Sequence, residues 1–416
     1  MPAYQGNCEC SGVPVFPEYF IDPAFIIYIE FNEPTVVADE VDNITSTTAQ
    51  VESNLTSECS SIVTEKGVCW STVTTPTINN NFLTSNNNEV GEYSIQLTGL
   101  SPSTTYYVRA YVKYNNQYVY SNNEASFTTE CSPSTYNGNI TLTTQQQVDD
   151  FGANCYTEIT GNLFIENSTD IQQLDALNSI SILGGGLKIH NNSILSNING
   201  LNSLNSIGYY SSGPNRYTVR ITNNSNLLNV DGLSNLNASQ KSITINSNNS
   251  LVDINGLNEI TTIGDVFTIV GNDSLTSIDG LNNLIYVASL FDIENNSSLT
   301  SISGFNSLTT IEGISAINNN SNLIEITGLN SLNSIGLNSF HYLAIQNNTV
   351  LTNISGISNL MTLTGNLQIK TNSSLSNLCA ITSLINNGGA TGSKYQVENN
   401  AYNPTRQDII DGNCSQ

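Results

Sequence analysis

Chemistry at neutral pH needs proton carriers, nucleophiles or metal ligands held close together, and this chain offers few of them. Its two histidines, His190 and His341, stand far apart, and neither has a cysteine or aspartate at metal-ligand spacing. Glycosidic cleavage takes two carboxylates facing each other across a cleft. The acids nearest to forming a column are Asp231, Asp253 and Asp279, at shifted places around a recurring Ile-x-Gly corner with no Lys or Arg beside them. They read as solvated turn acids. No G-x-S-x-G elbow, P-loop or dinucleotide fingerprint occurs. Asn- and Asp-rich turns recur, yet no D-x-D-x-D loop is present, so any calcium binding would be weak. These residues predict a non-enzyme with no cofactor and no metal; a polysaccharide-active β-helix enzyme is the remote alternative.

Composition narrows the partners. The chain has 416 residues, 10 basic and 34 acidic, for a net charge of −24, with 38% apolar and only 11% charged residues. Solubility therefore rests on Asn, Ser and Thr rather than on ion pairs. With a pI near 4.1 and no basic run, nonspecific nucleic-acid binding and association with anionic membranes are both disfavoured.

The elements that position these residues come from a repeat spanning about Leu163 to Leu384. "LKIHNNSILSNINGLNSL" restates "LFIENSTDIQQLDALNSI", and the pattern continues. Anchored on the second apolar residue, the copies fall at Ile165, Ile189, Ile221, Ile245, Ile269, Ile293, Ile317, Ile345 and Ile369, in steps of 24 except for one of 32 and one of 28. A short unit that cannot bury its own apolar face does so by stacking on copies of itself. Within the unit, L-x-I alternates with period two, as a strand does. Later apolar residues recur every third position, as Leu275, Ile278, Leu281, Leu284 and Val287. That suits neither a long helix nor a long strand, and the Gly and Asn content opposes helix. The reading is a coil of short parallel strands, one rung per 24 residues, with the anchor isoleucines in one column. Three residues after each anchor from Ile189 on stands Asn192, Asn224, Asn248, Asn272, Asn296, Asn320, Asn348 or Asn372; the first copy has Ser168. This predicts an asparagine ladder, because a short amide at a turn bonds both its own backbone and its neighbours above and below. Gly200, Gly232, Gly256, Gly280, Gly304, Gly328 and Gly356 mark a corner that is either left-handed or too tight for a side chain.

The eight cysteines fall as Cys8/Cys10, Cys59/Cys69, Cys131/Cys155 and Cys379/Cys414. The last two pairs bracket the ends of the repeat, where a terminal rung needs a clip, and disulfides are expected there. Cys59 and Cys69 are either paired or buried thiols. Cys8 and Cys10, without a second Cys or His cluster, make a poor zinc site. No basic n-region followed by an apolar run opens the chain. Disulfides without a leader fit either a secreted protein lacking its leader or a virion protein released by lysis, whose thiols oxidise outside the cell.

Residues 1–32 are expected to be an anchor or extended segment. Phe16, Tyr19, Phe20, Phe25, Ile27, Tyr28 and Phe31 make it apolar, while Pro14, Pro17 and Pro23 punctuate it. The run from Phe25 to Phe31 is too short to span a bilayer. It reads as a strand packed on the next domain or as an anchor on a partner protein. Residues 33–129 hold alternating, β-branched and aromatic stretches separated by polar turns, which predicts a β-sandwich.

Leu100-Ser-Pro102-Ser-Thr104-Thr-Tyr106 in that stretch resembles the fibronectin type III family, whose loop before the sixth strand carries L-x-P-x-T-x-Y. The resemblance implies that the Tyr106 hydroxyl ties the loop across the sandwich and that Trp70 stands in the core on the third strand. "GVCWS" and "VRAYV" look like the variety common in surface proteins of Bacteroidetes-type bacteria. Residues 131–416 resemble the receptor L-domain family through their rungs, the opening "CSPSTYNGNITLTTQQQVDDFGANC" and the closing "YNPTRQDIIDGNC". This implies a short right-handed parallel β-helix, with capping helices at Gln145–Phe151, Ser383–Asn387 and Arg406–Ile410. A leucine-rich-repeat horseshoe is the alternative, since it shares the period.

The fold class is therefore all-β. The functional expectation is a non-catalytic virion surface protein, for decoration, fibre or host attachment, of a phage with a Bacteroidetes-type host; a bacterial cell-surface or secreted adhesin is the alternative. Its partners would be other virion or surface proteins through residues 13 to 31 and a host surface protein or glycan through the solenoid. Tyr209, Tyr210, Arg216 and Tyr217 are the expected contact patch. They lie in the insertion behind the 32-residue step, insertions gather on a solenoid's surface, and Tyr and Arg are favoured at interfaces. The rival reading of that insertion is that it fills space beside a rung.

Overall fold

The computed structural model describes residues 34–57, 63–208, 218–236 and 239–416. They are mostly β, and the chain divides into two compact units at Ser132/Pro133.

The first unit has two antiparallel sheets. One is ordered β1 (Thr35–Asp42), β2 (Thr48–Ser57), β5 (Gly91–Thr98). In the other, β4 (Asn81–Thr84), β3 (Val63–Ser71), β6 (Thr105–Tyr114) and β7 (Gln117–Tyr120) are neighbours in that order, and β8 (Ala125–Thr128) also pairs with β6. Alternation sends Val51 and Leu55 of β2, Ile95 and Leu97 of β5, and Val108, Ala110 and Val112 of β6 into one buried cluster with Trp70 of β3. The Tyr106 hydroxyl accepts a hydrogen bond from the Ser101 backbone at 3.0 Å, which ties the preceding loop to β6. Cys69 is a buried free thiol, so it is not paired with Cys59, which lies outside the described residues. Burial raises its pKa to about 11.

The second unit is organised by an eleven-stranded parallel sheet. Its strands begin with Ile140–Leu142, Leu163–Ser168 and Leu187–Asn192 and run in chain order to Tyr395–Glu398. The anchors pair in register, Ile165 with Ile189, Ile189 with Ile221, and so on to Ile345 with Ile369. They form the single expected column, extended by Leu142 at one end and Val397 at the other. Each rung then turns through residues of the three-residue spacing, nearly all buried, and most reach a short strand of a second parallel stack. There, Thr262–Ile263, Tyr286–Val287, Thr310–Ile311, Ser334–Ile335 and Thr362–Leu363 pair in sequence.

The ladder is present and continuous. Asn296 is fully buried; its amide donates to the Ile269 carbonyl at 2.9 Å, and its oxygen accepts from the Asn272 backbone at 3.0 Å. The same exchange repeats to Asn372 and Asn400, where the Asn403 side chain takes the place of a further rung. At the other end Ser168 leaves the Asn192 side-chain oxygen without a partner among the described residues. The residue before each ladder Asn is left-handed; it is Asn on most rungs, as in Asn191 (φ 55°), Asn295 (φ 57°) and Asn347 (φ 57°), which takes that conformation at low cost, and Ser247, Gly271 or Thr371 on the others. The corner glycines serve the other purpose: a Cβ on Gly256 would lie 2.0 Å from the Val230 carbonyl oxygen of the preceding rung.

The inward column carries one exchange of volume. Phe267 and Phe291 lie 5.4 Å apart with tilted rings, and Phe305 packs against both at 5.9 and 5.0 Å from a place where other rungs carry an aliphatic residue such as Leu281 or Ile357. The next inward position after Phe291 is Ser315, fully buried, whose small side chain leaves room for the three rings. Cys379 and Cys414 form a disulfide that clips the last rung, and Cys131 and Cys155 are both disulfide-bonded. Helices at Gln145–Gly152, Thr382–Asn386 and Arg406–Ile410 stand where capping helices were expected.

Candidate functional site

The face of the eleven-stranded sheet that lies opposite the anchor column carries a regular arrangement of side chains, nearly all half-buried or buried among their neighbours. Because alternate residues of a strand face opposite ways, each rung sends its anchor inward and the residues on either side of it outward. Register makes these into columns: Phe164, Lys188, Arg220, Thr244, Thr268, Asp292, Ala316 and Ala344 form one, and Glu166, His190, Thr222, Asn246, Val270, Glu294, Asn318 and Gln346 the next.

Charge on this face is concentrated in three places, the last of them the Lys370–Glu398 ion pair of 2.8 Å at its end. Near its start Lys188 pairs with Glu166, and His190 Nδ1 shares a hydrogen bond of 2.8 Å with the Thr222 hydroxyl. Burial, and then the nearby Lys188 and Arg220 charges, lower the His190 pKa, so the ring is neutral at pH 7. In the middle stand Asp292 and Glu294. Burial, with Glu294 adding to it, pushes the Asp292 pKa up to about 6, and among the described residues its Oδ1 has no hydrogen-bond partner.

The expected acids are turn acids. Asp231 and Asp279 each open a one-turn 3-10 helix, and Asp253 Oδ1 accepts from the Asn255 backbone at 3.0 Å. Burial and the neighbouring Asp253 raise the pKa of Asp231. His190 and His341 stand on different rungs. Among the described residues no group of three or more His, Cys, Asp or Glu side chains is placed to hold a metal ion, and no helix is long and apolar enough to cross a membrane.

Tyr209, Tyr210, Arg216 and Tyr217 lie outside the described residues, as do Phe16, Tyr19, Phe20, Phe25, Ile27, Tyr28 and Phe31. The flanking elements still place the contact-patch insertion in the chain: it falls between the short strand Ser206–Ile207 and the long-sheet strand Val219–Thr222. The second insertion, behind the 28-residue step, lies between Ser334–Ile335 and Tyr342–Gln346. This second insertion exposes Leu337 and Phe340 by 66% and 86%. Its broken period was the only signal for these residues.

Comparison with known proteins gives one family. A family model for the receptor L domain matches residues 154–256, which contain the rungs of Ile165, Ile189, Ile221 and Ile245. No curated protein matches. Among solved structures, the sensor domain of the anti-sigma factor RsgI4 of Pseudobacteroides cellulosolvens is 18% identical. That match covers 23% of this chain and 94% of the other, with a TM-score of 0.19.

Proposed function

We propose that the protein is a non-catalytic surface protein. Its role is decoration, fibre or host attachment on the virion of a phage infecting a Bacteroidetes-type host. In this reading residues 33–129 are a fibronectin type III-like stalk. The two antiparallel sheets and the Tyr106–Ser101 tie support that assignment. The second unit is an L-domain-like right-handed parallel β-helix, an assignment favoured over a horseshoe by the second stack of short strands opposite the long sheet.

The observation that carries the reading is the long sheet itself. Ordered columns of outward side chains stand on a backbone locked by the buried ladder and clipped by the Cys379–Cys414 disulfide. Such a face is preorganised for binding, which lowers the entropy cost of association, and the disulfide suits a protein working in an oxidising exterior. The apolar residues 13–31 supply the grip on other virion proteins.

A bacterial surface adhesin is the second reading, because the disulfides suit it equally. Quantitative mass spectrometry of purified particles against washed host envelopes separates the two. Enrichment in particles is expected, and enrichment in envelopes alone refutes the virion assignment. Deleting residues 1–32 should abolish incorporation while both units stay folded; assembly of the truncated protein onto particles would refute the anchor.

A further inference from the structure

The corner insertion at residues 336–341 adds four residues to the period and buries neither of its large apolar side chains. Phe340 is 86% and Leu337 66% exposed, more than any other large apolar residue described in the second unit, where the next are Leu228 and Ile324 at 49%. The loop is nevertheless fixed. The Leu337 backbone donates to the Glu312 carbonyl at 2.9 Å and to His341 Nδ1 at 3.0 Å. Asn338 Oδ1 accepts from the Phe340 backbone at 3.0 Å, and the Asn338 carbonyl accepts from the Thr364 hydroxyl of the next rung at 2.8 Å. Gly336 turns the chain at φ +83°, where a Cβ would meet the Thr364 hydroxyl at 2.5 Å. A braced loop holding an aromatic ring in water is organised for contact with something outside the chain.

Resting on the binding role proposed above, we propose that this loop is a subsite for a neutral saccharide, with a sugar ring stacked on Phe340. A pyranose has an apolar C–H face and a hydroxyl-bearing edge. The loop offers the matching pair: a bare aromatic face, and beside it the exposed hydroxyl of Ser339, while the Asn338 amide is spent on bracing the loop through Phe340 and His341. Two apolar side chains are too little for a stable protein partner, which takes roughly 800 Å² per side. They are enough for one sugar ring. The net charge of −24 disfavours acidic glycans and leaves neutral ones.

The test is binding of the full chain to immobilised neutral oligosaccharides of glucose, galactose, mannose and N-acetylglucosamine, with polygalacturonate as the acidic comparison. At least one neutral probe should be retained. Phe340→Ala should weaken it about tenfold or more, Phe340→Trp should keep it, and Val73→Ala, at an exposed apolar residue of the other unit, should leave it unchanged. Phe340 is exposed, so all variants should melt together. Equal binding by Phe340→Ala, preference for polygalacturonate, or retention of no neutral probe would each overturn the subsite. None of these outcomes bears on whether the protein is found on particles or envelopes, so the wider reading fails or stands separately.

Discussion

Replacing Asn296 by Ala removes one step of the buried ladder. The side chain satisfies the Ile269 carbonyl and the Asn272 backbone N–H, at 2.9 and 3.0 Å, and Asn272 and Asn296 are both fully buried. Alanine reaches neither group. A buried polar group left unpaired costs about 1–3 kcal/mol, so two of them plus a small void predict a loss of about 3–5 kcal/mol. The only tryptophan, Trp70, sits in the first unit, so its fluorescence does not follow this change. Urea unfolding followed by circular dichroism, together with amide exchange on peptides covering 267–320, does. Because stability in a stacked repeat is a sum of nearest-neighbour terms, the loss of protection should centre on the strands Phe267–Val270, Phe291–Glu294 and Ser315–Asn318. The control is Asn306→Ala, whose amide bonds Asn282 Oδ1 at 2.7 Å at an exposed site, expected to change stability by less than about 0.5 kcal/mol. If Asn296→Ala cost no more than Asn306→Ala, the ladder would be decoration rather than a support of the stack.

Three further changes test the packing and charge assignments. Asp292 titrates near pH 6 in the folded chain, above its ordinary value, so its ionisation destabilises the fold, and stability should fall as pH rises from about 4 through 6. Asp292→Asn should remove that slope in thermal melts, gaining about 1 kcal/mol at pH 7.5 after allowance for its partial exposure and little at pH 4; an equal gain at both pH values refutes the assignment. Ser315→Ala deletes a buried hydroxyl with no partner among the described residues while keeping room for the three rings, and should raise stability by about 1 kcal/mol in denaturant titrations, whereas Ser315→Leu should lower it by overpacking. Cys379→Ser with Cys414→Ser should cost roughly 2–4 kcal/mol and release protection first in the last rungs, as read by exchange mass spectrometry.

The repeat was legible because its physics is local and periodic. Anchors every 24 residues, the triplet-spaced apolar residues and the ladder asparagines each occupy an identical environment on every rung, so their types recur and reveal it. The corner glycines were legible as a constraint, though only the close approach of the preceding rung's carbonyl decided that crowding, rather than a left-handed backbone, excludes a side chain there. The sequence also marked both insertions, since each breaks the period. What it could not supply was anything depending on which rungs touch. That Ser315 complements Phe305, ten residues away, follows from the inward column and the turn meeting in one place. That Asp292 lies beside Glu294 on a half-buried face, and is held near pH 6, depends on burial by neighbouring strands. That Phe340 stays in solvent on a braced loop is set by Thr364, a rung further along, and by His341, whose roles appear only once the chain has coiled back past itself.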